Sequence, residues 1–239
     1  MNKNKVLDSK LRSKADWSRK QLEAYHEDGL PLVATFVNPF SYQLLADRAE
    51  LLSYFNLILS DGILHTKLHN YYCKNKIDRV SFDLSSIAND VLERASEKAL
   101  KVAFIGGKQS HIEVLEENLL RLFPNLIVSY TSNGYMDESK KIECITELKS
   151  CSPDIVIVGM GTPLQEEFLI SCIKNGVEAK EFYTCGGFIE QTATKGDYYH
   201  PVVKKLGLRW LQRAVMHSHV RKRLIIDYPR FVYKYIKGH

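Results

Sequence analysis

The sequence predicts an α/β protein: a Rossmann-like parallel sheet covered by helices, ending in a basic amphipathic helical appendage. Three observations lead there. From residue 101 on, short apolar runs alternate with stretches of helical period. Those runs are apolar throughout, as strands buried on both faces are. Each of them runs into a glycine-containing turn. Repeated strand, turn and helix imply parallel neighbours joined by crossovers. A chain of 239 residues has room for one such domain plus an appendage.

Residues 1–30 read as one or two polar helices around DWSRKQLEAY. LPLVATFVN has the β-branched enrichment of a buried strand, and PFSYQLLADRAELLSYF has helical spacing. Pro39 suits the first turn of that helix. NLILS is a second strand, followed by a helix reaching about Cys73. Residues 74–84 have weak periodicity, and SSIANDVLERASEKAL is a clear helix. Three strand–turn–helix units follow: KVAFIGG with SHIEVLEENLLRLF, NLIVSYTSNGY with ESKKIECITELKS, and DIVIVGMGTP with LQEEFLISCIKN. KEFYTCGG closes the series. Glycine lets backbone approach a ligand closely, and a helix start offers amides to an anion, so these turns predict an anion-binding rim.

Composition sets further bounds. With 45% hydrophobic and 26% charged residues, the chain reads as a soluble globular protein. No window approaches the ~18 apolar residues of a spanning helix. The basic N-terminus lacks the apolar stretch of a secretory signal. Five scattered cysteines, none in a CxxC pair, point to a reducing, cytoplasmic setting and away from cysteine zinc sites or a disulfide framework. The charge is unevenly spread. Residues 201–239 hold ten Lys/Arg and one acid, leaving the first 200 at −4 in a chain of net +5. The division predicts a core over 1–200 and an appendage over 201–239 whose partner is anionic.

Within LILSDGILHTKLHN, Asp61 stands where a buried strand meets its loop, the edge at which open α/β sheets bind ligands. It reads equally as the cap of the following helix. A carboxylate partner would have to come from Asp83, Glu166 or Glu190, none of them sequence-local. His65 and His69, at i and i+4, could bind metal but lack the HExxH pattern and read as helix surface or rim. No GxGxxG, Walker A, GxSxG or DxD is present, which argues against dinucleotide, P-loop and serine-nucleophile chemistry and against a diphosphate–metal clamp.

The ordered blocks VNPFSYQLL, SDGI, RVSFDL, FIGGKQ, NGYM, DIVIVGMGTPLQEEF, CGGFIEQ and LGLRWLQR resemble the WecG/TagA/CpsF glycosyltransferase family (glycosyltransferase family 26) over about residues 30–230. The resemblance implies an inverting transferase that moves a hexosyl unit from a UDP-sugar to a sugar on undecaprenyl diphosphate, in O-antigen, capsule or exopolysaccharide synthesis. It implies no cofactor and metal-independent transfer, with metal stimulation left open. Asp61 matches the favoured general base and Gln165 an active-site glutamine. Gly106, Gly107, Gly134, Gly159 and Gly161 match turns around UDP, Tyr135 an aromatic against the base, and Glu190 the acidic residue after the glycine pair. Thr35, Asn38 and Asp83 fall around the acceptor. Singly, each also has an ordinary reading as turn, packing or capping residue.

Four positions depart from the family pattern. Phe36 stands where Thr is frequent, Phe82 where Gly is, Tyr198-Tyr199-His200 replaces RAP, and Arg209 replaces an acid. They favour a hexose, Glc or Gal, over an N-acetylhexosamine, which stays open. The apolar and cationic residues of the appendage have the composition of a helix on an anionic membrane face. In the family this region reaches the cytoplasmic leaflet of the inner membrane and closes over the active site, and homo-oligomers occur. Arg213, Arg221 and Arg223 are the candidates for meeting the diphosphate. Two readings compete: a nucleic-acid-binding protein using the basic tail, and an NAD enzyme acting on nucleotide sugars. The acidic body, the sheet-edge glycines and the absence of RRM, KH or zinc signatures count against the first, and the missing dinucleotide fingerprint against the second.

Overall fold

In a computed structural model of the chain, residues 3–194 and 223–238 are described. Six strands, β1 (Leu32–Val37), β2 (Leu57–Ser60), β3 (Lys101–Gly106), β4 (Ile127–Ser132), β5 (Ile155–Gly159) and β6 (Glu181–Thr184), form one sheet in the order β2-β1-β6-β5-β3-β4. Every pairing is parallel. All the strand C-termini therefore share one edge, and the loops carrying Asp61 and the glycine turns converge there.

Period-two alternation sends successive strand residues to opposite cores. Leu57, Leu59, Val102, Phe104, Ile155 and Ile157 enter one core, shared with α2 (Lys14–Glu23), α6 (Ile87–Glu97), α7 (Gln109–Leu122) and α10 (Phe188–Ala193). Ile58, Ala103, Ile105, Val156 and Val158 enter the other, shared with α1 (Lys3–Lys10), α3 (Tyr42–Ala46), α4 (Ala49–Leu52), α8 (Glu138–Cys151) and α9 (Leu164–Lys174). The segment predicted as one helix after Pro39 is two short ones. Pro39 lies ahead of them rather than in a first turn, since Ser41 is the N-cap of α3.

A buried carboxylate ties the far edge together. Glu181 accepts from Tyr25 Oη at 2.6 Å and Tyr183 Oη at 2.5 Å and pairs with Arg94. Trp17 Nε1 donates to Tyr183 Oη at 3.1 Å, joining α2 to β6. A buried ionised group is tolerated only when paired and hydrogen-bonded in this way.

The C-terminal helix (Tyr228–Gly238) follows a π-helical turn over Arg223–Asp227. It is docked: Phe231 and Tyr235 are buried in the second core, their rings 5.4 Å from that of Tyr42. The predicted division near residue 200 lies outside the described residues. No described helix is long and apolar enough to cross a membrane.

Candidate active site

The crossover from β3 leads to β4 on one side, and that from β5 leads to β6 on the other. Their adjacent C-terminal ends are thus a topological switch point, where open sheets leave a ligand crevice. Gly106 and Gly159 sit side by side there. A Cβ on Gly106 would lie 2.2 Å from the Gly159 carbonyl oxygen, so only glycine permits this approach. The turns interlock. Gly107 N–H donates to Gly159 O at 3.2 Å and Gly134 N–H to Gly107 O at 2.9 Å, which occupies two of the amides expected to face an anion. Gly161 takes a positive φ of 76° in the loop after β5. Tyr135 is 73% exposed at the end of β4, and its N–H donates to Asn133 Oδ1 at 3.0 Å. Glu190 is exposed on α10.

Behind this edge lies a buried polar knot. Glu166 Oε1 accepts from Thr35 Oγ1 at 2.8 Å, Gln165 Nε2 at 3.0 Å and Thr162 Oγ1 at 3.2 Å. Thr184 Oγ1 donates to Thr35 at 2.9 Å, and Gly186 N–H donates to Gln165 Oε1 at 3.1 Å. Thr35 and Gln165 are thereby placed inside the protein, where they fasten the loops after β5 and β6. Burial pushes the Glu166 carboxyl above its usual range, against the hydrogen bonds from Gln165 and Thr35. Between its unfolded and folded values the fold binds a proton that the unfolded chain releases, so Glu166 favours the fold less as pH rises through that window. Glu166→Gln mimics the protonated shape. Urea titrations across pH 4–8, a range of about four units spanning the ordinary carboxylate value, should show a shallower loss of stability toward high pH than in the parent chain.

The second cluster lies at the tips of β1 and β2. Gly62, not Asp61, is the N-cap of α5 (Ile63–Tyr72), and the cap makes no side-chain hydrogen bond, so Asp61 does not cap this helix. Asp61 Oδ1 instead accepts from Arg79 Nη2 at 3.1 Å, which also lies 3.7 Å from Asp83 Oδ2. Asp61 keeps 36% side-chain exposure. Burial works against the charge on Asp83, but hydrogen bonds from Ser85 and Ser81 and the Arg79 guanidinium outweigh it and hold the carboxyl below its usual range. Asn38 Oδ1 accepts from the N–H groups of Phe40 and Ser41, both at 3.0 Å, and so shapes the neighbouring loop. Gly62 packs on that loop, since a Cβ there would lie 2.9 Å from Pro39 Cδ.

The fold thus brings Asp61 and Asp83 to one guanidinium, while Glu166 is held in the buried knot and Glu190 is exposed on α10. Arg79 was not singled out from the sequence. It lies in the weakly periodic stretch, and only its bridge to Ser60 beside Asp61 places it. His65 and His69 are fully buried, not on a helix surface or rim as the spacing suggested. Arg213, Arg221 and the Arg223 side chain lie outside the described residues.

A model of the "Glycosyl transferase WecG/TagA/CpsF family" matches residues 10–239. A UDP-Gal:alpha-D-GlcNAc-diphosphoundecaprenol beta-1,4-galactosyltransferase of Shigella boydii is 40% identical over 204 residues, 85% of each chain. N-acetylglucosaminyldiphosphoundecaprenol N-acetyl-beta-D-mannosaminyltransferases of Staphylococcus aureus strains MW2 and NCTC 8325 are 28% identical over 153 residues, 64% of this chain and 58% of theirs.

Proposed function

The chain belongs to the WecG/TagA/CpsF glycosyltransferase family, and from that premise we propose that it transfers galactose from UDP-galactose to N-acetylglucosamine carried on undecaprenyl diphosphate, forming a β-linkage by inversion. The 40% identity to the Shigella boydii galactosyltransferase, over 85% of both chains, carries the choice of donor and acceptor. It agrees with the departures at Phe36 and Phe82, which favour a hexose.

In this reading UDP occupies the switch-point crevice, its uracil against Tyr135 and its ribose toward Glu190. The acceptor hydroxyl approaches from the β1–β2 side. Asp61 accepts its proton as the oxygen bonds to the anomeric carbon and the bond to UDP breaks, general-base catalysis by a carboxylate in hydrogen-bond reach. Arg79 orients Asp61, and Asp83 holds Arg79. Thr35, Asn38 and Gln165 act as positioning residues that fix the loops around both substrates. Arginines of the appendage, Arg213, Arg221 and Arg223, neutralise the departing diphosphate. Arg79→Leu removes the group that holds Asp61 in place. Turnover in the transfer assay should fall, by less than on changing Asp61 itself.

The C-terminal region serves as the membrane contact on the cytoplasmic face, beside the lipid-linked acceptor. Opposite the docked Phe231 and Tyr235, the end of the chain exposes Ile225, Ile226, Tyr233 and Ile236. Arg230, Lys234 and Lys237 lie among them. Each cation near an anionic bilayer contributes about 1 kcal/mol. The double change Ile225→Ser and Ile226→Ser should weaken co-sedimentation with phosphatidylglycerol vesicles without changing thermal stability. Undiminished sedimentation would move the contact elsewhere.

The test of the reaction is transfer from a panel of labelled UDP-sugars to a synthetic GlcNAc-diphosphate lipid, with and without EDTA. Transfer from UDP-galactose alone is expected. Transfer from another donor only would overturn the sugar assignment, and intact UDP binding with no transfer would overturn the acceptor.

A further inference from the structure

Behind the Asp61 turn, three elements distant in sequence meet at a buried polar cluster. Asp8 of α1 is 3% exposed, and His65 and His69 of α5 are 0% exposed. One ligating atom from each lies within 4.8 Å of the other two. His69 Nε2 lies 3.0 Å from the carbonyl of Asn75, which can only accept, so Nε2 carries the proton and Nδ1 faces the cluster. That Nδ1 stands 3.5 Å from Asp8 Oδ1, about the separation of two ligands on one tetrahedral zinc ion. Tyr235 Oη of the C-terminal helix donates to Asp8 Oδ1 at 3.2 Å. Tyr235 Oη also lies 3.4 Å from His69 Nδ1, so the hydroxyl and the Asp8 carboxylate both face this nitrogen.

His65 supplies the second observation. Its Nδ1 is 2.8 Å from Ser60 Oγ, while its Nε2, buried, finds no hydrogen-bond partner among the described residues. A buried ring nitrogen without a partner is costly unless something is bound there. Both histidines also have the outer contact typical of metal ligands, in which the far ring nitrogen is held by a carbonyl or hydroxyl.

We propose that Asp8, His65 and His69 bind one divalent transition-metal ion of the zinc class, enclosed by Tyr235. Two imidazoles and a carboxylate suit zinc better than magnesium or calcium. The site is enclosed and lies apart from the exposed edge at Asp61, so the ion is structural. It fastens α1 and the C-terminal helix to α5, directly beneath the Ser60–Asp61 turn. This assignment does not depend on the identity of the sugar or the acceptor.

The experiment uses the full chain, freed of any affinity tag, gel-filtered and analysed for metal by mass spectrometry. It is then stripped with chelator and titrated with zinc while thermal unfolding is followed. About one zinc per chain is expected, with a rise in melting temperature on adding it back. Asp8→Asn and His69→Gln should each weaken zinc binding at least tenfold, the scale of losing a group that holds or orients a metal. Two results would overturn the site. One is a wild-type chain with no saturable zinc and the same melting temperature in zinc and chelator, which leaves a metal-free Asp8–His69 pair. The other is zinc bound equally well by both variants, which puts the ion elsewhere. Should either variant fail to fold, the wild-type titration and the absorption spectrum of the cobalt-substituted protein decide. A spectrum of fully hydrated cobalt counts against the site, and one of cobalt held by nitrogen ligands supports it.

Discussion

Asp61→Asn is expected to lower turnover by about 10²- to 10⁴-fold, the usual contribution of a general base, while leaving UDP binding unchanged. The amide keeps the size of the carboxylate and can still accept from Arg79, so the β2 tip keeps its shape. It cannot take a proton from the attacking hydroxyl. UDP lies, in the proposed arrangement, across the β3–β5 switch point and makes no demand on this side chain. Arg79 retains Asp83 as a charge partner 3.7 Å away, which limits any structural cost. Calorimetry with UDP and a radiolabel transfer assay on the same preparation separate the two effects. Full turnover in this variant would remove Asp61 from the chemistry. Equal loss of turnover and UDP affinity would make it a structural residue.

Phe231→Ala should cost about 3–5 kcal/mol of folding stability, as for other buried aromatic truncations. Phe231 is 5% exposed, with ring centroids 5.4 Å from Tyr42, 5.8 Å from His65 and 5.3 Å from Tyr235. Removing it opens a cavity where the C-terminal helix meets α3 and α5, and that helix should become accessible to protease. Tyr233, two residues on but 66% exposed, provides the control. Tyr233→Ala should change stability by less than about 0.5 kcal/mol while weakening vesicle binding. Urea denaturation of the two variants side by side checks the contrast, and equal stabilities would mean the helix is not docked in solution. The contrast also bears on truncation. Cutting the chain near residue 205 removes the exposed side chains proposed for membrane contact together with Phe231 and Tyr235, so such a deletion would mix any lost anchoring with a damaged core. Point changes on the exposed face keep the two apart.

The sequence by itself determined the class of the fold, the six strands and most helices, and the family. These rest on local, periodic information: apolar runs bounded by glycine turns, helical spacing between them, and motif blocks in a fixed order. Asp61 was legible for the same reason, as a carboxylate at the end of a buried strand. Whether it capped α5 was not, because capping depends on a backbone conformation that Gly62 provides instead.

Only the tertiary structure decided what each polar residue near the edge is joined to. Arg79, 18 residues from Asp61, reaches it because Ser60 and Arg79 bridge in parallel. Thr35 and Glu166, 131 positions apart, meet because β1 and β5 flank β6, an order no periodicity encodes. Tyr235 meets Asp8 across 227 residues, turning a stripe that reads as membrane-facing into one that is half core and half surface. Hydrophobic patterning specifies which faces are covered. It does not specify by what, because burial is nearly non-directional and the pairing of polar groups is settled only once the backbone has been brought together.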